Sequence, residues 1–156
     1  MLRFNLFDAA QFKEKIMKKA IQVPKVMCEA YDYKKPAAFS RGMEAMLGND
    51  KLIFVSGTAS VGPDGRTKHK GNFRAQAKLM FKNVTDVLSA ANATWNDVVK
   101  ATIYLRDIDR DYEEFNEVRC DFFDSIGLDP YPASVCVEAR LCRNELLVEM
   151  EAIAIK

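Results

Sequence analysis

A chain of 156 residues with 49% apolar and 29% charged side chains fits one domain, burying about two-thirds of its unfolded surface, and is too hydrophobic to be disordered. The net charge is +1 with both signs interspersed, so there is no positive face for a nucleic-acid backbone; the one dense basic stretch, Arg66 to Lys70, reads as a solvated turn. No run is long enough to span a bilayer and the N-terminus lacks a signal peptide's apolar core, so a cytoplasmic protein without membrane attachment is expected.

Along the chain, Ala9, Phe12, Ile16 and Ala20 follow Asp8 at helical spacing, and Pro24 ends the pattern. This predicts a helical extension over residues 1–30, ahead of a domain over 31–156. "KLIFVSGTASV" then reads as a strand closed by the turn "GPDG". After Asn72, residues Ala77, Phe81, Val84 and Leu88, widened by Met80, Val87 and Ala91, form the apolar stripe of a core-facing helix. "DVVKATIYLRD" sets Val99, Ala101, Ile103 and Leu105 against Lys100, Thr102, Tyr104 and Arg106, the alternation of a strand. A second helix starts at Asp111 and stops before Gly127 and Pro130.

The last stretch divides into two strands. In the first, Ala133, Val135, Val137, Ala139 and Leu141 are expected on the core face, with Ser134, Cys136, Glu138 and Arg140 opposite. In the second, Leu146, Val148, Met150, Ala152 and Ala154 take the core face, leaving Leu147, Glu149, Glu151, Ile153 and Ile155 on the other. The whole predicts an α+β sandwich in two layers, a mixed sheet with two helices on one face. The uncovered face would carry Phe54, Ser56, Thr102, Tyr104, Ser134, Cys136, Glu138, Glu149, Ile153 and Ile155. That face is too apolar for water, which predicts a homo-oligomer whose polar residues line clefts between subunits.

Glu149 and Glu151 sit two apart among Leu147, Ile153 and Ile155. Desolvation and a neighbouring like charge raise a carboxyl pKa, the setting of a general acid or base. The alternative is a salt bridge from Glu149 to Arg140 or Arg143 across a hairpin. Ser56-Gly57 ends a strand, where backbone N–H groups could hold an oxyanion or simply form a turn. Cys136 has no histidine to activate it and reads as a pocket wall. Asn116 either reaches the cleft or is solvated. With His69 as the single histidine and Cys28, Cys120, Cys136 and Cys142 lacking CxxC spacing, neither a metal site nor a disulfide framework is expected, and no cofactor is called for.

"FVSGTASVGPDG", "AQAKLMFKNVTDVLSAANATWNDVVKATIYLRDI", "YEEFNEVRCDFF" and "YPASVCVEARLCRNELLVEMEAIAI" resemble, in order and spacing, the Rid superfamily, also called the YjgF or L-PSP endoribonuclease family, from about Pro36 to Lys156. The resemblance implies a chorismate-mutase-like fold, a homotrimer with sheets facing into a barrel, and small-molecule pockets at subunit interfaces. It implies hydrolysis of reactive enamines and imines to 2-keto acids and ammonia, with a pocket on Phe39, Ser56, Gly57, Asn116, Cys136 and Glu149. Deaminase members carry Pro-Ala-Arg, the arginine gripping the substrate carboxylate, where this chain reads Pro132-Ala133-Ser134. A hydroxyl cannot replace a bidentate guanidinium, and removing such a partner costs about 2–5 kcal/mol, so a substrate other than the usual 2-imino acid is expected. "FSRGMEA", "HKGNFRAQ" and "LCRNELLVEMEA" are also similar to the C-terminal half of chorismatases. That likeness implies Glu149 as the acid of an enol ether hydrolysis, with Arg41 and Arg143 as the anion-binding candidates. A non-catalytic metabolite-binding protein is the reading of a different class. RNA cleavage, another activity attached to the family, finds no basic face here.

Overall fold

The computed structural model describes residues 17–156. Its strands are β1 (Lys18–Ile21), β2 (Gly42–Leu47), β3 (Asp50–Ala59), β4 (Val98–Leu105), β5 (Ala133–Glu138) and β6 (Val148–Ile155), and its long helices are α1 (Phe73–Ala90) and α2 (Ile108–Ser125). The six strands form one sheet in the order β1-β2-β3-β6-β4-β5. Every neighbouring pair is antiparallel except β4 and β5, whose parallel pairing uses α2 as its crossover. The expected mixed sheet with two helices on one face is what forms.

The helix layer follows the sequence pattern. Asn72 Oδ1 accepts the Ala75 N–H at 2.9 Å and caps α1, whose stripe of Ala77, Met80, Phe81, Val84, Val87 and Leu88 is fully buried. α2 begins earlier than the Asp111 start predicted, because Asp107 accepts the Arg110 N–H at 3.0 Å and caps the helix at Ile108. Phe81 stacks with Phe122 at 4.7 Å and joins Trp95 and Phe123 in one aromatic cluster between the helices and the sheet.

Three expectations are corrected. The N-terminal helix was to reach Ala20, yet Lys18–Ile21 is a strand paired with β2; the rest of that predicted helix lies outside the described residues. β2 was not anticipated, since Met, Glu and Ala favour helices; a hairpin turned at Gly48, φ +62°, overrides the propensity. The final two strands are no hairpin, because β6 inserts between β3 and β4 and leaves β5 at the edge.

Register then reverses the expected faces of β5. Ser134 pairs with Ala101, Cys136 with Ile103 and Glu138 with Leu105, and those three β4 residues are buried beneath the helices. So Ser134, Cys136 and Glu138 face the helix layer, while Val135 and Val137, 42% and 37% exposed, lie on the open face. At an edge strand the apolar residues do not mark the core, because the helices reach only its rim. A register shift between Val98 and Lys100 likewise turns Val99 out of the core, where the alternation had placed it.

Two buried amides of α1 tie loops to the sheet. Gln76 donates to Glu145 O at 2.8 Å and accepts the Leu147 N–H at 2.9 Å, which fixes the entry to β6. Asn83 donates to Ala59 O at 2.9 Å and Val61 O at 3.1 Å, holding the end of β3. Asn83→Leu strands two buried carbonyls and is expected to lower stability by about 1–3 kcal/mol, read as a lower urea midpoint at unchanged slope.

Candidate functional site

On the open face, β3 breaks its register with β6 between Val55 and Thr58, and Ser56-Gly57 forms the irregularity. Ser56 Oγ donates to Ser40 O at 2.7 Å, and its N–H donates to Arg41 O at 3.1 Å. The Ser56 N–H is therefore engaged within the chain, and the oxyanion role considered for it is not supported. Gly57 has a different function. The Glu149 carboxylate lies directly over it, so a Cβ there would collide with Oε1.

Glu149 is half-buried on β6, and no ion pair among the described residues includes it. Arg143 instead donates to Gly65 O at 2.7 Å, so the salt bridge across a hairpin does not form. Burial raises the Glu149 pKa first, Glu151 adds to it, and Arg41 opposes both. The Glu151 carboxylate accepts the Tyr104 hydroxyl at 3.0 Å, which holds that phenol's pKa up.

The carboxylate opens on a cavity of about 560 Å³ lined by Tyr33, Phe39, Arg41, Gly57 and Arg143 among others. Arg41 is buried: its Nε donates to Cys28 O at 3.0 Å and its Nη2 to Tyr33 Oη at 2.5 Å. Its guanidinium also lies 5.2 Å from the Phe39 ring centre, and that of Arg143 lies 5.1 Å from the Tyr33 ring centre. Tyr33, which links both arginines, was missed because the segment around it, between the predicted N-terminal helix and the first strand, carried no strand or helix pattern.

Thus Phe39, Arg41, Ser56, Gly57, Arg143 and Glu149 converge, while Asn116, Ser134 and Cys136 do not join them. Those three lie on the other side of the sheet: Ser134 and Cys136 as the reversed faces of β5 require, and Asn116 on α2 above them. There Arg119 donates to Asn116 Oδ1 at 2.5 Å and reaches Ser134 Oγ at 3.3 Å. Burial raises the Cys136 thiol pKa, with Arg119 opposing, so Cys136, packed against the core, is not a ready thiolate. Among the described residues no group of three or more His, Cys, Asp or Glu side chains could hold a metal ion, and no helix is long and apolar enough to cross a membrane.

The model of the family described as Endoribonuclease L-PSP matches residues 17–156. The chain belongs to the Endoribonuclease L-PSP family. A RutC family protein of Pyrococcus abyssi is 38% identical over 110 residues, covering 70% of this chain and 81% of that one. The human protein named 2-iminobutanoate/2-iminopropanoate deaminase is 30% identical over 123 residues, covering 79% and 85%. Among solved structures, E. coli TdcF with bound serine superposes with a TM-score of 0.71 at 26% identity, covering 88% of this chain and 98% of that one. The two-layer α+β architecture and the Rid resemblance are both confirmed for the L-PSP chain.

Proposed function

We propose that this L-PSP family member is a homotrimeric hydrolase of small carboxylated imines or enamines, with Glu149 as general acid and base. The observation that carries the reading is the half-buried Glu149 carboxylate, in no ion pair among the described residues, seated over Gly57 at the mouth of a cavity. The human deaminase relative and the serine-bound TdcF structure both support a small amino-acid-like substrate.

In the proposed reaction the imine enters protonated on nitrogen; Glu149 takes one proton from water as the water oxygen bonds to the carbon and the C=N π pair moves to nitrogen, giving a neutral carbinolamine. Glu149 then gives that proton to the amine, the C–N bond breaks as the hydroxyl oxygen forms the C=O bond, and the hydroxyl proton leaves with ammonia as ammonium, so a 2-oxo acid remains and Glu149 is ionised again. The trimer is supported by the open face, where Phe54 and Ile155 are 41% and 46% exposed beside Ile153. Ser134 and Glu149 face opposite sides of one sheet, so a substrate of a few carbons meets both only where two copies join.

Arg41 and Arg143 on the Glu149 cavity favour a second reading, hydrolysis of a dianionic enol ether such as chorismate. Release of ammonia from 2-iminopropanoate, against release of pyruvate from chorismate, separates the two. A pure binding protein would hold 2-oxobutanoate and catalyse neither.

The base must be ionised to accept a proton from water, and its pKa is raised. We expect kcat/KM to fall with falling pH at an inflection above the ordinary glutamate value of about 4.3. That inflection should vanish from the residual rate of Glu149→Gln.

A further inference from the structure

We propose that Arg119, on α2, which the sequence pattern did not single out, is the anchor for the ligand's carboxylate; this rests on the hydrolase reading above. Arg119 is half-buried, and no ion pair among the described residues includes it. Neighbouring arginines are treated otherwise: Arg74 is held by Glu114 and Glu117, and Arg110 by Asp111. An arginine kept partly out of water without an acid retains its full charge for a ligand.

Its geometry is fixed before any ligand arrives. One arm donates to Asn116 Oδ1 at 2.5 Å, the other reaches Ser134 Oγ at 3.3 Å, and the guanidinium lies 5.3 Å from the Phe115 ring centre. Neutral oxygens and an aromatic face orient the planar fork without neutralising it, which is what a charge-assisted contact to a carboxylate needs. Ser134 is small enough to leave room beside it, where a longer side chain would fill the space.

The fork borders a cavity of about 230 Å³ whose walls are Ile103, Met150, Phe123 and Tyr131. That combination, one cation and an apolar wall, suits a short aliphatic carboxylate and not a phosphate or a sugar. Cys136 shares this side of the sheet and feels the same positive charge. A strand position lacking arginine is thus compensated by an arginine supplied from the helix above it.

The experiment is isothermal titration of wild type, Arg119→Met and Arg119→Lys with 2-oxobutanoate and with its uncharged amide, beside ammonia release from 2-iminopropanoate. Wild type should prefer the acid over the amide by about 10- to 100-fold. Arg119→Met should lose that preference and leave amide binding unchanged, which a merely structural role would not do. Arg119→Lys should fall between. Equal binding of acid and amide by wild type, or an Arg119→Met variant that keeps the preference, overturns the proposal. An Arg119-dependent preference without imine turnover leaves the anion site standing and sinks the hydrolase reading; turnover with an unchanged preference in Arg119→Met does the reverse.

Discussion

Glu149→Gln is expected to lower kcat by about 10²- to 10⁴-fold while the protein keeps its fold and still binds 2-oxobutanoate. The amide has nearly the same shape and retains a polar end over Gly57, so the cavity is preserved. Only the proton transfer is removed. Stability should move the other way. A carboxyl whose folded pKa lies above its unfolded one favours folding at low pH, and that contribution is lost as pH rises through the folded value. At neutral pH the ionised Glu149 therefore opposes folding, and the glutamine should raise the thermal midpoint. A gain in midpoint with a loss of rate is the mark of a group kept for chemistry. A lower midpoint in the glutamine variant would mean that Glu149 holds the structure together.

Gly57→Ala is the second large effect. Gly57 does not occupy the left-handed region, so alanine suits its backbone, and the added methyl has only the Glu149 carboxylate to displace. A displacement of about 1 Å at a reacting group costs about 100-fold in rate. We expect kcat/KM to drop by that order with the urea midpoint nearly unchanged. The double variant Gly57→Ala with Glu149→Gln should be no slower than Glu149→Gln alone, because both changes remove one group's action. Additive losses would show that Gly57 serves something other than Glu149.

Much of this was legible in the sequence where periodicity was strong. The stripe of α1 and the alternation of β6 placed Ala77 to Leu88 and Glu149 to Ile155 on their correct faces. Phe39, Arg41, Ser56, Gly57, Arg143 and Glu149 were all named in advance and share one end of the sheet. The failures have physical causes. Val135 and Val137 looked like core residues, but β5 is an edge strand, and its parallel register with β4 sends Ser134 and Cys136 to the helix side. A one-residue change of parity moves every side chain of a strand to the other face, and nothing local decides it at an edge. Tyr33 and Arg119 escaped because each is placed by tertiary packing: the first by Arg41 nearby and Arg143 far along the chain, the second by a helix laid over a strand. The serine at 134 was legible as a departure from the resembled pattern. The Arg119 guanidinium that reaches its hydroxyl from α2 was not.

The most direct measurement is ammonia release from freshly generated 2-aminoacrylate, which tautomerises to 2-iminopropanoate, followed for wild type beside Glu149→Gln. Acceleration by wild type with loss in the glutamine variant is the expected result. Equal rates for both proteins, or no acceleration by wild type while it binds 2-oxobutanoate, would contradict a Glu149-driven hydrolysis.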